Sequence, residues 1–293
     1  MNNLQKFILF FTLLAVHGNA VSVKDNKGTF TIDYIPKRIV VLELSFVDTL
    51  AIVGVSPIGI ADDNNKSRII PELRKKITKW TSLGTRSQPN IEIIASLKPD
   101  LIIADIKRHE GIYESLKKIA PTLILPSKRI TYKESFDINK KIAKVLGKSK
   151  EMQKRLNEHN QYMKKMSTYL PKNLEVQVSM AREETFFLST DDSYIAEVIK
   201  TLGINYPKSE KDNTAPRYAG LEQLLAINPE YLIVGSSVSP NILDTWKKKP
   251  LWNILKASKK DHIIKVNDGL WSRSRGIIST EKITKKLVDV FGK

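Results

Sequence analysis

SKEMQKRLNEHNQYMKKMSTYL, residues 149–170, contains neither glycine nor proline. Met152, Leu156, His159, Met163, Met166 and Leu170 recur in it at alternating steps of four and three, which is one face of a continuous helix. About 22 residues at ~1.5 Å each span ~33 Å, the width of a small domain. Pro171 closes the run. A helix of that length joining two bodies is a stiff connection, unlike a flexible linker. His159 lies on the apolar stripe, where a packed structural histidine is expected rather than a ligand.

The chain on either side of this helix reads alike. Before it, Ile39–Leu42, Ile58–Ala61, Leu101–Ala104 and Thr122–Leu125 are short, continuous and rich in β-branched residues, as buried strands are. Helical patterns at Phe46–Val53, Ile91–Leu97 and Ile112–Ile119 lie between them, and Gly54 is placed to stop the first. After it, Val176–Met180, Tyr231–Val234 and Ile263–Val266 read as strands, with helices at Ile195–Leu202, Leu221–Ile227 and Glu281–Phe291. Strands alternating with helices predict two α/β lobes with central, mostly parallel sheets. An internal repeat supports this: IEIIASLKPDLIIA from Ile91 and LEQLLAINPEYLIV from Leu221 both run helix, polar–Pro–acid turn, strand. The expected organisation is a signal peptide over 1–20, an N-terminal lobe over 21–148, the bridging helix over 149–170 and a C-terminal lobe over 171–293.

The signal peptide follows from MNNLQKFILFFTLLAVHGNA. Lys6 is its one charge, Phe7 to Val16 is apolar except Thr12, and Gly18 and Ala20 stand at small-residue spacing. The apolar run is too short to span a bilayer. Cleavage after Ala20 would release a protein beginning at Val21. Export argues against intracellular nucleic acid as a partner, although Lys and Arg total 48 against 31 Asp and Glu, a formal charge of +17. That excess predicts an anionic partner of another kind.

The 293 residues suffice to bury a core without staples, and the absence of cysteine removes disulfides, thiolate metal sites and thiol nucleophiles. No G-x-S-x-G, G-x-G-x-x-G, Walker loop or H-E-x-x-H occurs, and nothing pairs a nucleophile with a base. An enzyme is therefore not expected. The histidines are too scattered to suggest a three-histidine metal site, and Asp62-Asp63-Asn64-Asn65 lacks the glycine and glutamate of a calcium loop.

Arginines, by contrast, follow strands. Arg86 lies in LGTRSQPN, Arg108 in ADIKRHEG, Arg182 in SMAREE, and Trp271, Arg273 and Arg275 in NDGLWSRSRG. Ligands of open α/β sheets bind beyond the carboxyl ends of the strands, and guanidinium forks match carboxylates and phosphates. These six residues are the candidate ligand site, with Arg86 and Arg182, one per lobe, as the principal candidates. RYAG at Arg217–Gly220 adds a charge and an aromatic near the second repeat unit.

Through RIVVLELSFVDTLA, PIGIADDN, LGTRSQPNIE, LKPDLIIAD with RHEG, GLEQLLAINP and W-x-R-x-RG, the chain resembles the periplasmic binding proteins that serve ABC importers of iron–siderophores and vitamin B12. The resemblance covers about Thr29 to Phe291 and is strongest to the members that bind ferric dicitrate. It implies two lobes bridged by one long helix, the class III architecture. It also implies a monomeric periplasmic protein that captures iron(III) dicitrate and delivers it to the permease dimer of an inner-membrane importer. Citrate would hold the iron, so no protein metal ligand and no cofactor are implied. The resemblance further implies that Glu92 and Glu222, equivalent in the repeat, dock to permease arginines. Both also suit the positive end of a helix dipole, so position alone does not decide their role. The alternatives are a hydroxamate or catecholate siderophore, haem or cobalamin in the same fold, a direct metal-ion receptor, an exported basic protein binding surface polyanions, and a hydrolase.

Overall fold

The computed structural model of the chain describes residues 20–208 and 217–293; the expected signal peptide, apart from Ala20, lies outside them. A hairpin of β1 (Val21–Asp25) and β2 (Gly28–Ile32) comes first, turning Val23, Phe30 and Ile32 inward. The first lobe then runs β3 (Ile39–Val41), α1 (Leu44–Ile52), β4 (Gly59–Ile60), α2 (Pro71–Arg74), β5 (Thr81–Ser82), α3 (Ile91–Ser96), β6 (Leu101–Asp105), α4 (Ile106–His109), α5 (Tyr113–Ile119) and β7 (Thr122–Leu125). Its sheet is parallel throughout, in the order β5-β4-β3-β6-β7. Two helices follow, α6 (Tyr132–Val145) and α7 (Ser149–Ser167).

The second lobe comprises β8 (Val176–Ala181), β9 (Phe186–Leu188), α8 (Tyr194–Thr201), β10 (Arg217–Tyr218), α9 (Leu221–Ile227), β11 (Tyr231–Ser236), α10 (Ile242–Trp246), α11 (Lys256–Lys259), β12 (Ile263–Asn267) and α12 (Ile277–Phe291). Its sheet order is β10-β9-β8-β11-β12, with β8, β11 and β12 parallel and the β9–β10 edge antiparallel. The two repeat copies become α3–β6 and α9–β11. In each, the residue before the proline ends the helix in the left-handed region, Lys98 at φ 46° and Asn228 at φ 45°.

The long helix is 19 residues, about 28 Å, and stops at Ser167 rather than Leu170. Beyond it the amides of Thr168, Tyr169 and Leu170 bond three residues back. The Ser167 and Thr168 hydroxyls also bond the Lys164 and Lys165 carbonyls at 2.8 Å, competing with the ladder there. Nor does α7 stand alone, because α6 packs on one side and α12 on the other. His159 is fully buried between them, as expected of a structural histidine. Its Nε2 meets the Tyr132 hydroxyl of α6 at 2.5 Å, and its Nδ1 donates to Glu281 of α12 at 2.8 Å. Arg155 pairs with the same carboxylate at 2.6 Å.

The last helix also ties the lobes together. Asp48, buried on α1, accepts from the amides of Ile278 and Ser279 at 3.1 Å and from the Ser279 hydroxyl at 2.9 Å. A carboxylate of the first lobe thus caps α12, the final element of the chain. A Cβ at Gly276 would sit 2.1 Å from Asp48 Cγ, so only glycine allows the approach. One hydrophobic core runs from Val41 and Phe46 through Met152 and Leu156 to Val176, Trp271 and Ile277.

Candidate ligand-binding cleft

Strand ends build the cleft. β6 ends at Asp105, whose buried carboxylate accepts from the Arg108 amide at 2.9 Å and caps α4. Its other oxygen accepts from the amides of Ser127 and Lys128 at 2.7 and 3.0 Å, beyond β7. One side chain therefore fixes two adjacent cation-bearing turns. The buried imidazole of His109 accepts from the Asp105 amide at Nδ1 (2.9 Å), so its Nε2 donates to the Arg86 carbonyl (2.7 Å). Burial lowers its pKa and keeps it neutral. In the second lobe β12 leads into one π-turn, Gly269–Arg273, closed by Ser274 N–H to Gly269 C=O at 3.1 Å. Such turns re-aim side chains at functional sites.

Between these ends lies a cavity of about 560 Å³. The first lobe contributes Arg108, Lys128 and Arg129; the second contributes Arg182, Trp271, Arg275 and the edge aromatics Phe187 and Tyr218. Asp192, bonded by the Thr190 hydroxyl at 2.5 Å, is the acidic residue of the lining. Burial pulls the Lys128 ammonium below its ordinary pKa, and the charges of Arg108 and Arg129 add to this. Arg275 donates to the Ser272 carbonyl at 3.0 Å and, among the described residues, is in no ion pair. Burial lowers its pKa despite the Glu43 charge nearby.

Of the six expected residues, Arg108, Arg182, Trp271 and Arg275 line this cavity. Arg86 and Arg273 do not. Arg86 is 5% exposed. It forks onto Asp63 at 2.9 and 3.1 Å and reaches Glu43 at 3.5 Å. Arg273 lies on Asp268 at 3.1 Å. Each guanidinium answers carboxylates of its own lobe. Glu43 also pairs with Arg108 Nε, and Asp268 with Arg182 at 2.8 Å, so both lobes back a cavity arginine with a buried acid. Burial raises the Glu43 pKa more than Arg86 and Arg108 lower it. For Asp268, burial pushes upward, but the bonds from Arg182 and Ser272 and the Arg273 charge prevail and hold it below the usual carboxylate range.

Sequence reasoning missed Lys128 and Arg129, although they follow β7 by the same strand-end rule that found the others. It left Tyr218 open; this residue is 74% exposed and rests against Phe187 at 4.5 Å between ring centres, on the cavity rim. Glu92 and Glu222 are exposed at the second position of α3 and α9. Among the described residues no group of three or more His, Asp or Glu is placed to hold a metal ion, and no helix is long and apolar enough to cross a membrane.

The geometry has close relatives. The Fe(3+) dicitrate-binding periplasmic protein FecB of Escherichia coli is 45% identical over 97% of this chain and 95% of its own length. The Fe(3+)-citrate-binding protein YfmC of Bacillus subtilis is 42% identical over 91% of this chain and 84% of its own. Staphylococcus aureus SirA, solved with staphyloferrin B, superposes with a TM-score of 0.78 over 92% of this chain and 97% of its own at 24% identity, which speaks for the fold. The family model for periplasmic binding proteins matches residues 39–269, from β3 to the start of the π-turn, and the chain belongs to that family.

Proposed function

We propose that this protein captures iron(III) citrate, in its dicitrate complex, within the interlobe cavity and delivers it to an ABC importer. As a periplasmic binding protein it carries cargo rather than transforming it. The observation that carries the reading is the lining: five cations from two lobes face one carboxylate, and Arg275 has no acidic partner. Ferric citrate is anionic, presents carboxylates outward and brings the iron's own ligands, so the site need supply only positive charge and hydrogen-bond donors. The two curated relatives named above bind that cargo by their names.

In this reading the mature protein is a periplasmic monomer beginning at Val21, which is also the first residue of β1. Its lobes, 21–148 and 171–293, meet across the helix at 149–170. Arg108, Lys128, Arg129, Arg182 and Arg275 hold the citrate carboxylates, and Trp271 packs beside them. Glu92 and Glu222, one per lobe, dock to the permease dimer of the importer.

Trp271 lines the cavity and supplies the test. Ferric citrate should change tryptophan emission saturably, iron-free citrate should do so more weakly, and a ferric hydroxamate should not. Tighter binding of the hydroxamate would overturn the citrate reading. The Phe187–Tyr218 pair on the rim favours a second reading, a ferric catecholate with a flat aromatic face, so a catecholate belongs in the same titration. Binding of a polyanion with no response to iron would instead return the protein to the surface-polyanion class.

A further inference from the structure

Away from the cleft, the surface carries an apolar ridge where a soluble face should be polar. Pro250–Ile254 forms a short 3-10 helix. Residues three apart eclipse one another in that geometry. Trp252 and Leu255 accordingly form one row, buried against Leu221 and Leu224 of α9. Leu251 and Ile254 form the next row, and it points outward: Leu251 is 38% exposed and Ile254 52%. Nothing in the fold covers them.

The ridge is flanked by cations. Lys248 and Lys249 precede it, and Lys256 and Lys259 follow one turn apart on α11. All four are exposed, and among the described residues none is in an ion pair. Their neighbours Lys247 and Lys260 are matched by Asp244 and Glu230. A charged ligand alone would not call for two aliphatic side chains in water, and an apolar partner alone would not call for four lysines outside any ion pair, of which only Lys256 feels a nearby carboxylate, that of Glu230. Aliphatic residues ringed by lysines fit a surface whose outer layer is anionic and whose next layer is hydrocarbon.

We propose that this ridge is a contact for the anionic face of a phospholipid bilayer, with Leu251 and Ile254 entering the headgroup layer and the four lysines answering the lipid phosphates. The segment is fastened to α9, since Asn228 at its end accepts from the Lys256 amide at 2.9 Å. It therefore lies beside the helix that carries Glu222, but its chemistry stands without the docking role assigned to that glutamate.

The test uses protein purified from the periplasm and sedimented with vesicles that contain no importer, so its outcome is separate from transport. Protein should bind phosphatidylglycerol vesicles, release with salt and ignore phosphatidylcholine vesicles. Lys256→Gln with Lys259→Gln should weaken binding about 25-fold, near fivefold for each lysine at the surface. Leu251→Asn with Ile254→Asn should weaken it roughly tenfold or more at unchanged net charge. Because the whole chain is basic, Lys164→Gln with Lys165→Gln on α7 is the control and should cost far less. No binding by the parent protein would overturn the proposal. So would equal losses from both lysine pairs, which mean diffuse attraction, or indifference to the Leu251 and Ile254 changes, which leaves the ridge for a protein partner.

Discussion

Arg86 and Arg275 show how differently two arginines at strand ends are used. Arg86 forks onto Asp63 and reaches the buried Glu43, so removing it takes the nearest cation from both, leaving Glu43 to Arg108 and half-buried Asp63 to Arg68. Breaking a buried pair from one side costs about 3–5 kcal/mol. Arg86→Ala should therefore lower the melting temperature strongly. Arg275→Ala removes a guanidinium bonded only to a carbonyl and should leave melting nearly unchanged. Its loss should instead weaken ferric citrate by about 30-fold or more, the effect of about 2–5 kcal/mol for a desolvated charge contact. Calorimetric titration and thermal melts of both variants check this; normal melting with lost affinity in Arg86→Ala would return that residue to the ligand. The strand-end rule made the arginines legible in the sequence. Which of them line the cavity was not legible, because Glu43, Asp63 and Asp268 reach them from other turns and no local pattern joins the partners.

Elements were legible where burial is uniform. β6, β7 and β11 carry continuous apolar runs, β8 is buried along its whole length although Gln177 and Ser179 interrupt it, and the repeat placed α3 and α9 correctly. α6 went unread because its buried face includes Ser135 and Asn139, so the apolar period is broken. β5 and β10 are two residues each, below any periodic signal. Helix packing carries a prediction about acid. Burial pushes the Glu281 pKa upward, but the bonds from His159 and Arg155 prevail and hold it below its ordinary value. A depressed carboxyl contributes stability in full above its unfolded value of about 4.3 and loses it as pH falls through the lower folded value. Glu281→Gln should thus destabilise by about 2 kcal/mol near neutrality, with the difference from the parent shrinking below about pH 4; melts across pH read it. The repeat carries another. Glu92→Ala with Glu222→Ala should abolish iron uptake in cells while affinity and melting stay normal. Uptake at the parent rate, with normal expression, would reduce both glutamates to helix-end acids.

Across the whole molecule, the sequence anticipated two lobes and a stiff strut, while the structure adds that the strut is one of three helices sharing a single core with both sheets. The Asp48 cap and the Glu281 bonds hold α12 to helices on either side of it, so closure over a ligand should be modest. Solution scattering with and without ferric citrate should show only a small fall in radius of gyration; a large one would contradict the strut. Mass spectrometry of the exported protein should find Val21 as its first residue, and a retained Met1 would refute cleavage.

The capping of α12 by Asp48 also bears on the order in which the molecule is made. Asp48 is translated early, yet the groups that bond its carboxylate, the Ile278 and Ser279 amides and the Ser279 hydroxyl, come some 230 residues later. Without those residues, the carboxylate on α1 has lost the amides that offset its burial in the complete fold. Closure of the first lobe's helix layer thus waits on the residues that begin α12.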